Sequence, residues 1–279
     1  MSQTSPQAIR RTLQPLYGSS EAAALSRVVC CELMGQRVVD FYLGKDMQLS
    51  ANDELRLQDI LDRLLRYEPI QYIQGTAPFL GRTLRVGPGV LIPRPETAEL
   101  VEWMLELVPA DGRMLDVGTG SGCIALTLAS RLPQARVEAW DVSDEALTLA
   151  RANAEAWGVE VEFRHCDLLT HCPDPQVCYD VVVSNPPYVT DAERSGMERN
   201  VLDWEPHLAL FVPDDDPLRF YRRLAELCLT QLRPDGLLFA EINRAYGEAT
   251  VRLLHSMGFR EVELRRDSFG NDRFVKARR

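Results

Sequence analysis

A short strand-like run, Arg113-Met114-Leu115-Asp116-Val117, passes straight into Gly118-Thr119-Gly120-Ser121-Gly122 and then into the helical stretch Cys123-Ile124-Ala125-Leu126-Thr127-Leu128-Ala129. Glycine at alternate positions lets the backbone turn sharply and come close to a ligand, as the first strand-to-helix turn of a nucleotide-binding sheet requires. The spacing also narrows the ligand. A dinucleotide fingerprint needs its third glycine at position 123, which is Cys, and a phosphate loop needs Lys-Ser or Lys-Thr after the glycines, which this chain lacks. Further on, Val137-Glu138-Ala139-Trp140 reads as a second strand ending in Asp141, where a carboxylate can accept both hydroxyls of a ribose. Asp141 could instead cap the helix at Asp144-Glu145-Ala146-Leu147, but Ser143 is the better-placed cap. A third strand, Val159-Glu160-Val161-Glu162-Phe163, leads to Asp167-Leu168, which either hold an adenine between a carboxylate and an apolar side chain or form a simple turn.

A second feature names a reacting group. The apolar run Tyr179-Asp180-Val181-Val182-Val183 empties into Ser184-Asn185-Pro186-Pro187-Tyr188. Two consecutive prolines remove two backbone donors and fix φ, so the carbonyls of Asn185 and Pro186 are left as acceptors with a set direction. The Asn185 side-chain oxygen and the Pro186 carbonyl can each accept one N–H of a planar NH2 group, and Tyr188 offers a flat ring for it to lie against. Pro-Pro after a strand is often only a loop; here the strand context and the motif agree. The Asn-Pro-Pro-Tyr box resembles that of amino-group methyltransferases acting on adenine, cytosine or glutamine amide nitrogens.

The likeness extends well beyond that corner. Pro69-Ile70-Gln71-Tyr72-Ile73-Gln74-Gly75 with Phe79 and Gly81, Val90-Leu91-Ile92-Pro93-Arg94-Pro95-Glu96-Thr97, Glu205-Pro206-His207-Leu208-Ala209-Leu210, Phe220-Tyr221-Arg222, Gly236-Leu237-Leu238 with Glu241-Ile242, and Asp267 with Gly270-Asn271-Asp272-Arg273 all follow one pattern. Over nearly all of residues 69 to 275 the chain resembles the protein-glutamine N5-methyltransferase family that modifies peptide chain release factors, and not DNA methyltransferases that share only the Asn-Pro-Pro-Tyr box. One departure is Val212-Pro213-Asp214-Asp215-Asp216-Pro217, where the family has a glycine-rich turn.

The resemblance implies a Rossmann-like class I methyltransferase sheet of α/β class with a C-terminal antiparallel hairpin, preceded by a small all-helical domain. It implies S-adenosylmethionine as cofactor, with S-adenosylhomocysteine as product, held by Val117, Gly118, Thr119, Gly120, Ser121, Asp141, Asp167, Leu168 and Asn185. It further implies that Asn185 and Pro186 carry catalysis and that Asn185, Pro186, Pro187 and Tyr188 hold the substrate, a glutamine in a Gly-Gly-Gln loop of a release factor.

The residues themselves divide the chain near 75. Leu25-x-x-Val28-Val29 and Leu57-x-x-Ile60-Leu61-x-x-Leu64-Leu65 give helical periodicity, with breaks at Gly18-Ser19-Ser20, Gly35 and Gly44. The domain expectation is therefore a helical substrate-recognition domain over 1–75, a Gly- and Pro-rich β-hairpin linker over 76–97 and the methyltransferase domain over 98–279. In the last, Val262-Glu263-Leu264 and Arg273-Phe274-Val275 are close enough to pair antiparallel.

Composition excludes several classes. A net charge of −10 argues against a nucleic-acid substrate, because phosphate binding relies on Lys and Arg neutralising the backbone; that Lys45 and Lys276 are the only lysines is a compositional bias without a functional reading. No leader-like opening and no membrane-length apolar run is present, so a cytoplasmic protein without membrane association is expected. Seven cysteines fit reduced thiols. His165, Cys166, His171, Cys172 and Cys178 are zinc-type ligands, but paired C-x-x-C knuckles are missing and no metal is expected. Adjacent Cys30 and Cys31 on a helix face different ways and read as small core residues.

Overall fold

The computed structural model describes residues 4–171 and 177–279, which fall into two compact units. The first comprises the chain up to Gly75 together with Glu198–Trp204; the second comprises Thr76–Met197 and Glu205–Arg279.

In the first unit, α1 (Pro6–Arg27) starts on a Ser5 cap, whose Oγ accepts from the Ala8 N–H, and continues into a π-helical turn at Val28–Leu33. The expected breaks are backbone facts: Gly18, Gly35 and Gly44 have φ of 71°, 71° and 68°, and Gly18 kinks α1. Then come α2 (Val38–Tyr42), α3 (Ala51–Leu64), opened by a Ser50/Asp53 capping box, and α4 (Ile70–Gln74). Leu57, Ile60, Leu61 and Leu64, spaced for one helix face, join Ile9, Leu13, Leu25, Val29 and Cys30 in one core, with Cys31 at its margin. Residues 198–204, which the sequence reading puts in the catalytic domain, belong to this core's unit. The Trp204 indole N–H donates to the Arg66 carbonyl at 3.0 Å, and the Arg199 guanidinium lies 4.3 Å from the Tyr67 ring centroid. Aromatic and cation–π contacts made from far along the chain leave no local periodicity to read.

The second unit opens with the hairpin β1 (Thr76–Phe79) and β2 (Arg82–Arg85), followed by α5 (Pro95–Leu105). The elements β3 (Arg113–Val117), α6 (Cys123–Arg131), β4 (Arg136–Asp141), α7 (Asp144–Trp157), β5 (Glu162–His165) and β6 (Tyr179–Ser184) then alternate. After β7 (Val189–Thr190) the chain passes through α8 (Arg199–Leu202), which belongs to the first unit, and then α9 (His207–Leu210), β8 (Phe211–Val212), α10 (Arg219–Gln231), β9 (Leu232–Glu241), α11 (Gly247–Ser256), β10 (Arg260–Arg266) and β11 (Asp272–Arg278) follow in the second.

Seven strands form one sheet in the order β10-β11-β9-β6-β3-β4-β5, parallel from β9 to β5, with β11 antiparallel to β9 and β10 antiparallel to β11. Alternating side chains feed two cores. Met114, Val137, Val181 and Phe239 pack with α5, α6 and α7, while Leu115, Trp140, Val182 and Leu238 pack with α10 and α11. Burial on both faces is why the central strands read as continuous apolar runs. The terminal hairpin is longer than its expected core segments. The third strand begins later than expected, at Glu162 and not Val159, because Gly158 (φ 65°) closes α7 and the Val159 N–H turns back to the Ala154 carbonyl. Among the described residues no helix is long and apolar enough to cross a membrane.

Candidate active site

Parallel pairing sets the site's geometry before any side chain is considered. Register aligns Val117 with Trp140 on one side and with Ser184 on the other, and Ser184 with Ala240. The next residues along these strands, Gly118, Asp141, Asn185 and Glu241, therefore emerge side by side at the carboxyl edge. This is the point where strand order reverses, β3 to β5 running one way and β6 to β9 the other, the usual ligand crevice of an open α/β sheet. The Ser184 hydroxyl donates to the Val117 carbonyl at 2.6 Å and pins the two strand ends together.

Gly118, Gly120 and Gly122 all have positive φ, at 75°, 56° and 84°, so the alternate-glycine spacing is a conformational requirement. Four of the loop's N–H groups are spent on protein acceptors. Gly118 and Thr119 both donate to the Trp140 carbonyl, at 2.8 and 2.9 Å, Gly120 donates to Asp141 Oδ2 at 2.8 Å, and Gly122 donates to the Thr119 carbonyl at 2.9 Å. A phosphate-binding loop would leave such donors facing its ligand; this one does not.

The cleft above the loop has a volume of about 430 Å³, within the range of small-molecule sites. Among the residues it is lined by are Val117, Gly118, Thr119, Gly120, Ser121, Asp141, Asp167, Leu168, Asn185, Pro186 and Pro187, with Leu208 and Phe220 adding apolar wall. Its carboxylates are Asp141, Glu145 and Asp167, and its basic residue Arg94 is paired to buried Glu205 at 2.6 Å. Glu205 also accepts the Ile92 N–H at 3.1 Å, fixing the segment before α5. An apolar cleft with acidic groups, a paired arginine and a glycine loop in which Gly118, Thr119, Gly120 and Gly122 turn their N–H groups to protein acceptors fits an adenosine joined to a cationic sulfonium amino acid. It fits a nucleotide phosphate poorly.

Asp141 has more work than the sequence suggested. Its Oδ2 accepts from Gly120 and its Oδ1 from the Ser143 N–H at 2.9 Å, while Ser143 caps α7 through the Ala146 N–H, as expected. Burial pushes the Asp141 carboxyl above its ordinary range, opposed by these backbone donors. Each carboxylate oxygen keeps a second lone pair for a ligand. Asp141→Ala should weaken S-adenosylmethionine binding by at least about 10-fold, each hydrogen bond to a charged group being worth roughly 1.5 to 3 kcal/mol. Unchanged affinity by calorimetry would remove Asp141 from the site. Asp167 makes a simple turn, accepting from the Leu169 N–H at 2.9 Å and the Thr170 hydroxyl at 3.1 Å, and it still borders the cleft beside Leu168.

At the Asn-Pro-Pro-Tyr corner, Asn185 is half-buried and its Nδ2 donates to Thr97 Oγ1 at 3.0 Å. The Thr97 hydroxyl donates to Glu241 Oε2 at 2.7 Å, and the Tyr188 hydroxyl donates to Glu241 Oε1 at 2.9 Å. Tyr188 therefore does not join the other expected site residues on the cleft wall. It packs against the core below α10 and α11 with its hydroxyl tied to Glu241, since a buried phenol needs a partner. Thr97 and Glu241 were visible only as parts of a family pattern. Residues 144 positions apart meet here through the fold, so no local signal pairs them.

Beneath the loop lies a further carboxyl group that no local sequence signal marks. Fully buried Asp116 accepts from the Thr119 hydroxyl at 2.7 Å and the Ala125 N–H at 3.2 Å, stitching the glycine loop to α6, while its other oxygen has no partner. Burial pushes its carboxyl up to about 7. A carboxyl whose folded value is raised favours the fold when protonated, and that contribution is lost as pH rises from about 4 through about 7. The stability of Asp116→Asn relative to wild type should therefore climb over that window and level off above it, by at most about 4 kcal/mol. Denaturant titrations giving a pH-independent difference would refute this.

Among the described residues no group of three or more His, Cys, Asp or Glu side chains could hold a metal ion. Of the cluster noted in the sequence, Cys172 lies outside the described residues. The departing segment at 212–217 forms a turn braced by Asp216, which takes two hydrogen bonds from Arg222 at 2.9 and 3.0 Å.

Comparison with known proteins agrees with this architecture. Residues 96–202 match the Methyltransferase small domain and residues 7–75 match the PrmC N-terminal domain. A release factor glutamine methyltransferase of Bacteroides thetaiotaomicron is 52% identical over 271 residues, covering 97% of this chain and 98% of that one. One from Flavobacterium psychrophilum is 44% identical over 95% of both chains. Among solved structures, a methyltransferase from Pyrococcus furiosus aligns over 82% of this chain and 98% of that chain, with a TM-score of 0.54 at 16% identity, a likeness of fold alone. With two relatives above two-fifths identity along almost their whole length, and family models matched over residues 7–75 and 96–202, the protein belongs to the release factor glutamine methyltransferase family.

Proposed function

We propose that this chain transfers a methyl group from S-adenosylmethionine to the side-chain amide nitrogen of the glutamine in the Gly-Gly-Gln loop of peptide chain release factors, in the cytoplasm, in support of translation termination. The observation that carries this reading is the corner itself. Asn185 Nδ2 is turned to Thr97 and Pro186 and Pro187 have no N–H, so the Asn185 side-chain oxygen and the Pro186 carbonyl are left as acceptors at the cleft where an NH2 group is to be held.

In this reading Asp141 accepts the ribose hydroxyls, Asp167 and Leu168 flank the adenine, and Val117 through Ser121 form the floor. When bound, S-adenosylmethionine supplies an electrophilic methyl group on a positively charged sulfur. An amide nitrogen is a poor nucleophile because its lone pair is delocalised into the carbonyl, so the protein's task is orientation. Asn185 Oδ1 and the Pro186 carbonyl accept the two N–H groups and aim the nitrogen, and rotation out of conjugation frees the lone pair. Alignment of this kind is worth roughly 7 to 11 kcal/mol in favourable cases. The surplus proton leaves to water, and no side-chain base is required. The helical unit contributes contacts to the body of the release factor, and the charge of −10 disfavours DNA or RNA as the alternative amine source.

Incubating purified release factor with enzyme and cofactor, followed by mass spectrometry of its peptides, tests the reading. One added methyl on the Gly-Gly-Gln peptide is expected. Methylation of DNA with none of release factor would overturn it.

A further inference from the structure

Resting on the function just proposed, we propose that Thr97 and Glu241 are positioning residues that fix which way round the Asn185 amide faces, and thereby make this corner a receptor for an NH2 group. A primary amide is nearly symmetric in shape, and turned over it would present its own N–H donors to the substrate's N–H donors. Something must forbid that orientation, and the strand and prolines alone do not.

The hydrogen-bond chain supplies the direction. Glu241 is only 1% exposed and its carboxylate receives a hydroxyl on each oxygen, from Thr97 at 2.7 Å and from Tyr188 at 2.9 Å. A carboxylate can only accept, so the single Thr97 proton is drawn toward it. Thr97 then faces Asn185 with lone pairs, and only Nδ2 can meet it, at 3.0 Å. Asn185 Oδ1, which accepts nothing from the described residues and is not sealed from solvent, is left for the substrate.

A buried carboxylate is costly, and packing alone would be served as well by an apolar side chain. Arg273 faces Glu241 and eases the cost while it also binds Asp267 at 3.2 Å; Glu96 opposes it. Burial still pushes the Glu241 carboxyl above its ordinary range. Once protonated, it could donate to Thr97, release the hydroxyl proton toward Asn185 and permit the reversed amide. The same chain therefore gives turnover a limb that falls as pH drops toward the acidic side.

The test compares Thr97→Val, Thr97→Ser and Glu241→Gln in the full-length enzyme, with release factor as substrate. Thr97→Val, which keeps shape but has no lone pairs, should lose about 10- to 100-fold in kcat, as supporting-residue substitutions commonly do, with cofactor affinity and release factor KM within about twofold. Thr97→Ser, which restores the hydroxyl, should recover to within about threefold of wild type. Glu241→Gln can offer Thr97 either an acceptor or a donor, so its kcat should fall and the acid limb should vanish. Cofactor affinity by calorimetry and the thermal midpoint report whether a variant is folded. Wild-type kcat in Thr97→Val, no rescue by Ser, or an unchanged acid limb in Glu241→Gln would overturn the positioning role. If wild-type enzyme itself leaves the glutamine unmethylated, the proposed function fails instead.

Discussion

Asn185→Ala should cost about 100- to 1,000-fold in kcat, or roughly 2.7 to 4 kcal/mol, the usual loss when one preorganised polar group is removed from a reacting centre. The fold should survive. Asn185 is half-buried, its side chain makes one hydrogen bond, to Thr97, and the adjacent strand end is held independently by the Ser184 hydroxyl on the Val117 carbonyl at 2.6 Å. Leaving Thr97 with an unused lone pair costs about 1 kcal/mol of stability. Cofactor affinity should change far less than turnover, because the floor of the cleft and Asp141 are untouched. Single-turnover methylation of release factor by this variant at a near-normal rate would sink the mechanism.

Removing residues 1–75 should lower the methylation rate of intact release factor by about 100-fold or more while cofactor binding persists, because binding energy remote from the reacting atom is what positions so weak a nucleophile. Both cores that flank the large sheet are built from residues after Thr76, so the sheet has what it needs to hold together. The cut is not clean, however. It leaves residues 198–204 without the unit they belong to and removes Arg66 and Tyr67, the partners of Trp204 and Arg199. A lower thermal midpoint should therefore accompany the loss of rate. Isolated Gly-Gly-Gln peptides should be poor substrates for the full and the shortened chain alike, since they offer the amide with few other contacts. Equal rates on intact release factor for the two chains would make the helical unit a stability cap and not a recognition element.

Where local chemistry decides the backbone, the sequence was sufficient. The alternate glycines at 118, 120 and 122 are the residues that adopt positive φ, Ser143 caps its helix, Leu57 through Leu64 form one buried face, and an apolar strand runs into Asn185 and its two prolines. Each of these depends on neighbours within about two helical turns, the range over which periodicity and capping act.

What only the tertiary structure decided are the partnerships between distant segments. It gave both Asp141 oxygens to backbone donors as well as to the cleft, took Tyr188 off the cleft wall, moved residues 198–204 to the helical unit, buried Asp116 beneath the loop, and joined Thr97 to Glu241 beside Asn185. A hydroxyl or carboxylate carries no mark of which group across the fold will satisfy it. That choice is made when parallel strands fix their register and set Gly118, Asp141, Asn185 and Glu241 along one edge, where every buried polar group must find a partner.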